Sequence, residues 1–258
     1  MREFNTYWIS SVARTGSMWI TNVIKEIFIS KDFYVFPKKN IKSDADFVNL
    51  YKTKALLDKN ETNKYVLKVH SKIKSIPPGS KVITTKRNPY DICASYKEFM
   101  KCNLSLSIES ALLLADFLSH YKQISKNVFI VKYDDIETQP HTLINELALF
   151  CNLKLSSSQI KNIAEKYDKE NVKSLIKIND QKLKEAIAEN QELNEQKIVK
   201  DGNGNIRSFD IYTGFQSGHI SSRKTGDWKK IFSEEEIEII IEKIDPIAIE
   251  LGYASERN

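Results

Sequence analysis

Between Tyr7 and Val12 the chain reads Tyr-Trp-Ile-Ser-Ser-Val, a short apolar, β-prone run that stops at Ala13-Arg14-Thr15-Gly16-Ser17. Beyond that turn Ile20, Val23, Ile24 and Ile27 recur at the spacing of one helical face. The opening segment therefore predicts a strand, a tight turn of small residues and a helix. Similar apolar runs at Tyr65 to His70, Lys81 to Thr85 and Val128 to Tyr133 predict three more strands. The third strand ends at Arg87-Asn88-Pro89. Asn88 suits an N-cap, Pro89 the first helical position and Asp91 the first turn. Ala111 to Leu118 reads as a buried helix, and Leu143, Ile144, Leu147 and Phe150 mark another. Strands that alternate with helices predict an α/β fold, a central parallel sheet flanked by helices on both faces.

The pattern changes from about residue 168 to 197, where Lys, Glu, Asn and Gln surround a few Ile and Leu. This segment is expected to be an exposed helical cap or lid, and residues 168–221 are expected to shape a pocket. Ile198 to Phe209 is broken by Asp201-Gly202-Asn203-Gly204-Asn205, which predicts a hairpin turn. Asp201, Asn203 and Asn205 imitate the first half of a calcium loop. However, Ile206 stands where that loop needs Gly and Tyr212 where it needs Glu, so the run is read as a turn. Ser233 followed by Glu236 is a capping-box signature, and Ile237, Ile240, Ile241 and Ile244 form the buried face of a last helix. No internal repeat or low-complexity linker divides the 258 residues, and one domain is expected.

The composition narrows the classes of partner. A net charge of +5 with no run of five Lys or Arg suits an anionic ligand in a local basic site, not a nucleic-acid surface. Cys93, Cys102 and Cys151 form no Cys-x-x-Cys pair, which predicts neither a disulfide framework nor a zinc site and favours a reducing compartment. No apolar stretch reaches about 18 residues, so no membrane-spanning helix is expected. Met1 to Thr6 lacks a charged-then-apolar leader, and a cytoplasmic location is expected.

Four places carry candidate chemistry. A strand that opens into a helix through Gly16 and Ser17 aims backbone N–H groups at one spot, and Arg14 adds a full charge, which makes an anion site. An ordinary βα turn has the same outline, and Gly-Lys-Ser/Thr of a Walker A loop is missing. Lys68 and His70 are two apart on a strand, so both leave the same face. Lys68 suits a phosphate or bridging oxygen and His70 a proton near neutral pH, whereas a lone strand-end His is more often simply hydrated. Arg87 with Ser95 pairs a fork with a hydroxyl, suited to a phosphate, unless Arg87 is spent on Asp91. Gly226-Asp227-Trp228-Lys229, after Arg223-Lys224-Thr225, is either a phosphate-wrapping loop or a solvated one anchored by Trp228.

Taken in order, these elements resemble the sulfotransferases that use 3′-phosphoadenosine 5′-phosphosulfate (PAPS). Ser11 to Trp19 is similar to that family's 5′-phosphosulfate loop, PKSGTTW, and Lys68-Val69-His70 to its Lys-Thr-His. Arg87-Asn88-Pro89-Tyr90-Asp91 with Ser95 resembles its 3′-phosphate segment RNPxDxxxS. Tyr133-Asp134-Asp135 resembles Tyr-Glu-Asp, and Gly226 to Lys229 the end of RKGxxGDWK. The resemblance spans about residues 7 to 233. It implies a P-loop-like nucleotide-binding core and sulfuryl transfer to a hydroxyl or amine of a small molecule, without a metal. His70 would be the base, with Arg14 and Lys68 on the transferring group. Thr15, Gly16, Ser17 and Met18 would complete the loop. Arg87, Ser95, Ser222, Arg223 and Lys224 would hold the 3′-phosphate, and Trp19 and Tyr133 would contact the adenine. Departures are Ala13 for proline, Met18 for the second Thr, and Ser221, Ser222 and Arg223 in the slots of Arg, Lys and Gly. The family's KxxxTVxxxE dimer pattern is poorly matched after Lys229, and no dimer is inferred. The alternatives are a P-loop-like small-molecule kinase and a non-catalytic nucleotide-binding protein.

Overall fold

The computed structural model describes residues 4–124, 126–221 and 223–257. Five parallel strands make the central sheet: β1 Thr6–Ser10, β2 Tyr34–Phe36, β3 Asn63–Val69, β4 Ser80–Lys86 and β5 Val128–Lys132, in the order β2-β3-β1-β4-β5. The helices are α1 Ser17–Ile29, α2 Asp44–Leu50, α3 Pro89–Met100, α4 Leu104–Ile124, α5 Tyr133–Thr138, α6 Pro140–Phe150, α7 Ser157–Lys166, α8 Lys169–Ala188 and α9 Glu234–Glu250. A hairpin of β6 Ile198–Lys200 and β7 Ile206–Ser208 stands apart from the sheet.

β1 lies between β3 and β4, with Tyr7 opposite Val66 on one side and Lys81 on the other. A strand covered on both faces and both edges buries every residue, as all of Thr6 to Ser10 are. Alternation then divides the core. Tyr7 and Ile9 join Val66, Ile83, the α1 stripe Ile20, Val23, Ile24 and Ile27, and Leu143, Ile144 and Leu147 of α6. Trp8 points to the other face, with Leu67, Val82, Ile92, Leu114, Leu118, Ile240 and Ile244.

Most predicted elements are present, with shifted ends. Val12 and His70 lie just beyond their strands, and Tyr133 begins α5 instead of ending β5. The helix expected at 111–118 is the middle of the longer α4, and β2 is not among the predicted strands. The 201–205 turn closes on itself. Asp201 Oδ1 accepts the amides of Asn203 and Asn205 at 2.9 Å each, and Oδ2 pairs with Arg207 at 3.0 Å. Ser233 and Glu236 form the reciprocal capping box of α9. Trp228 is fully buried and stacks on Tyr90 with centroids 4.8 Å apart, which makes it the packing anchor of its loop. Among the described residues no helix is long and apolar enough to cross a membrane.

Candidate active site

Chain direction alone gathers the candidate groups. The 11–16 turn follows β1, His70 follows β3, Arg87 follows β4 and Tyr133 follows β5. In a parallel sheet these positions share one edge, the carboxyl end, where α/β folds place ligands. A cavity of about 780 Å³ opens there, large enough for a nucleotide-sized molecule with a second small one. Arg14, Gly16, Ser17, Met18 and Trp19 line it, as do Lys68, His70, Arg87, Ser95, Tyr133, Arg223 and Lys224.

The β1–α1 turn is bent by two left-handed residues, Arg14 at φ 68° and Gly16 at φ 91°. A Cβ on Gly16 would lie 2.6 Å from Cδ1 of Ile136 and 3.2 Å from the ring of Tyr133, so both the dihedral and the space require glycine. Thr15 turns its side chain inward. It is fully buried, its Oγ1 donates to the Val12 carbonyl at 2.6 Å, and it shares a hydrogen bond with Thr85. Its hydroxyl is spent on the sheet, and only its backbone remains for a ligand.

Arg14 reaches across the cavity. Its Nε donates to Ser95 Oγ at 3.0 Å and its Nη2 to the His219 carbonyl at 3.0 Å, and the guanidinium lies 4.1 Å from the ring centre of Phe99. None of these partners is an anion. Burial, followed by repulsion from Arg87, lowers its pKa to about 9. Arg87 donates from Nη1 to the Arg14 carbonyl at 2.6 Å and stacks over Tyr133 at 3.9 Å, while its buried Nε has no hydrogen-bond partner. An uncompensated buried donor is uncommon in folded proteins, and this one belongs to a residue that lines the cavity. Asp91 does not take Arg87. It accepts from Arg223 at 3.1 Å and from the Gly226 amide at 3.0 Å.

Arg223 is consequently held by two carboxylates, Asp91 and Glu98 (3.3 Å), with its side chain 6% exposed. It fastens the 223–229 loop to α3 through these two carboxylates and also lines the cavity. Lys224 is exposed at the cavity edge, and Ser222 lies outside the described residues. Trp19 lines the cavity and donates from Nε1 to the Tyr167 carbonyl at 3.0 Å.

His70 and Lys68 are brought together as their spacing requires, with Nε2 and Nζ 3.1 Å apart. His70 Nδ1 lies 2.9 Å from the Ser11 carbonyl. A carbonyl only accepts, so Nδ1 carries the proton and the Nε2 lone pair faces the ammonium. The imidazole opens onto the cavity inside a protein-walled recess. Desolvation, followed by the Lys68 charge, lowers its pKa to about 4. Asp44, at the start of α2, accepts the His70 amide at 2.8 Å and Ser71 Oγ at 3.2 Å, fixing the strand end.

The sequence did not point to Asp44, His219, Phe99 or Phe209, all of which line the cavity. Phe99 was within reach, since it lies four residues after Ser95 on the same helical face. Asp44 is 26 positions from His70, and no local pattern connects them. His219 is not a rival base. Its Nδ1 accepts the Gln216 amide at 3.2 Å, and burial, followed by the charge of Arg14, holds its pKa well below the usual value. Among the described residues no group of His, Cys, Asp and Glu is arranged to hold a metal ion.

The family model described as sulfotransferase domain matches residues 5–247. No curated protein matches the sequence significantly. Among solved structures, mouse sulfotransferase SULT7A1 complexed with PAP superposes with a TM-score of 0.59 at 15% identity, covering 97% of this chain and 87% of that one. Retinol dehydratase in complex with androsterone and the inactive cofactor PAP gives a TM-score of 0.57 at 13% identity, covering 95% and 80%. A complex of retinol dehydratase with retinol and PAP gives 0.56 at 15% identity, covering 95% and 81%. At these identities the likeness is one of fold.

Proposed function

The chain belongs to the sulfotransferase domain family, and from that premise we propose that it moves a sulfuryl group from PAPS to a hydroxyl or amine of a small molecule, leaving adenosine 3′,5′-bisphosphate (PAP). The observation that carries this reading is the pairing at the end of β3: a neutral imidazole whose Nε2 lone pair faces a lysine ammonium at 3.1 Å, beside an arginine whose hydrogen-bond partners are uncharged. The fold neighbours that hold PAP, two of them with androsterone or retinol, support it.

The chain's own groups fit such a donor. Arg87, with its unpartnered Nε, and Ser95 suit the 3′-phosphate. The amides of the 14–17 turn and the start of α1 suit the 5′ end. Tyr133 and Trp19 offer flat surfaces to the adenine, and Lys224 stands at the mouth. When bound, PAPS supplies the activated sulfuryl group. His70 Nε2 takes the acceptor proton as the acceptor oxygen bonds to sulfur. The bond from sulfur to the bridging oxygen breaks, and Lys68 and Arg14 meet the charge left on that oxygen. Lys68 must turn from His70 to do so, which frees the lone pair that accepts the proton. The acceptor would lie among Phe47, Tyr96, Phe99, Met100 and Phe209, with residues 168–221 as part of its lid. A cytoplasmic location suits three cysteines that are all free thiols.

The test is transfer of label from ³⁵S-PAPS to a metabolite library, together with thermal shift by PAP and by AMP. PAP at about 100-fold above its Kd should stabilise the fold by about 2.7 kcal/mol. Arg87→Ala should narrow the difference between PAP and AMP. Equal responses to the two ligands in the unaltered protein would remove the 3′-phosphate site, and transfer from ATP instead of PAPS would make the chain a kinase.

A further inference from the structure

The hairpin that follows α8 is connected to the reaction centre by a chain of contacts that passes through one aromatic ring. Arg14 holds its guanidinium 4.1 Å from the centre of Phe99, the guanidinium of Arg207 lies 4.9 Å from it, and the His219 imidazole stacks on it at 5.1 Å with 20° between planes. Arg207 also donates to the Phe99 carbonyl at 2.7 Å, at the exposed carbonyl end of α3, and pairs with Asp201 at 3.0 Å. The hairpin turn sits close against this helix end, since a Cβ on Gly202 would lie 2.9 Å from the Met100 carbonyl oxygen. The Asp-x-Asn-x-Asn run that imitates a calcium loop thus has a different use: it orients the carboxylate that grips Arg207.

The choice of an aromatic partner has a physical consequence. A carboxylate beside Arg14 would neutralise it, whereas the face of a ring stabilises a guanidinium by its quadrupole and leaves the net charge in place. We propose that Phe99, propped by Arg207 and Asp201, is a positioning residue that holds Arg14 in place and leaves its charge available to an anion. The role in turnover rests on the sulfotransferase reading; the placement of Arg14 does not.

Two experiments separate these. The first is the rate of phenylglyoxal modification at Arg14 in the ligand-free protein, followed by mass spectrometry. Phe99→Leu should raise it at least about threefold and Arg207→Gln by less, while Phe99→Trp should leave it near the original value. An unchanged rate in Phe99→Leu, or a Phe99→Trp rate as high as that of Phe99→Leu, would overturn the proposal whatever the protein's activity. The second is a double-mutant cycle on turnover. Phe99→Leu should lower kcat about tenfold beside Arg14 and have little effect in the Arg14→Ala background. An equal loss in both backgrounds, or a change confined to the acceptor KM, would leave Phe99 a wall of the acceptor pocket alone and overturn its role toward Arg14. An unaltered protein that turns over no PAPS would overturn the sulfotransferase reading and leave the modification result to decide the placement.

Discussion

His70 shows how much a single ring depends on its two nitrogens. The Ser11 carbonyl fixes the proton on Nδ1, so Nε2 is the basic atom by exclusion. Desolvation, followed by the charge of the adjacent ammonium, keeps it uncharged well below neutral pH. His70→Ala should lower single-turnover transfer to a hydroxyl acceptor by about 10²–10⁴-fold, with PAP affinity little changed. An amine acceptor that is already unprotonated should lose less. Near-normal turnover on a hydroxyl would assign the base elsewhere, and loss of PAP binding in step with rate would make His70 structural. Arg223 differs from Arg14 in its partners, since two carboxylates hold it.

At the scale of elements, the β1–α1 turn serves two ends. It starts α1 with free amides facing the cavity, and it lets Tyr133 and Ile136 of α5 close over Gly16. Gly16→Ala adds a Cβ at a left-handed dihedral, at a cost of about 1–2 kcal/mol. It also presses on Ile136. The expected result is a fall in Tm of about 2–4 °C per kcal/mol and a weaker response to PAP. Differential scanning calorimetry with and without PAP checks both, and an unchanged Tm would mean that the turn relaxes without strain. α3 has a comparable double duty. Its first turn receives the 223–229 loop through Asp91, its middle presents Ser95 to Arg14, and its last turn presents Phe99.

For the whole molecule, two imidazoles in or beside the cavity couple stability to pH. His70 titrates at about 4 and His219 well below 6.5 in the folded chain, against an ordinary value of 6.5. Between those values the unfolded chain binds protons that the native state refuses, so stability rises with pH there. The contribution is complete above about pH 6.5 and is lost as pH falls toward 4. Urea midpoints should therefore drop from pH 7 to pH 5, and His219→Gln should flatten the drop. A midpoint that stays level across this range in the unaltered protein would contradict the neutral state of both rings.

The sequence by itself determined the architecture and the order of the active groups. Strand and helix periods are local, so alternating βα units were readable, and a parallel sheet then obliges the residues after β1, β3, β4 and β5 to meet at one edge. Lys68 and His70 were readable as a pair because a strand repeats every two residues. Contacts between distant segments left no periodic trace. Nothing in the sequence joins Asp44 to His70, or Asp201 and Arg207 to Arg14 through Phe99. The partners of Thr15 and Arg223 were decided in the same way. A hydroxyl or a guanidinium has the same chemistry wherever it stands, and only the packed structure decides whether a neighbouring strand or carboxylate uses it before a ligand can.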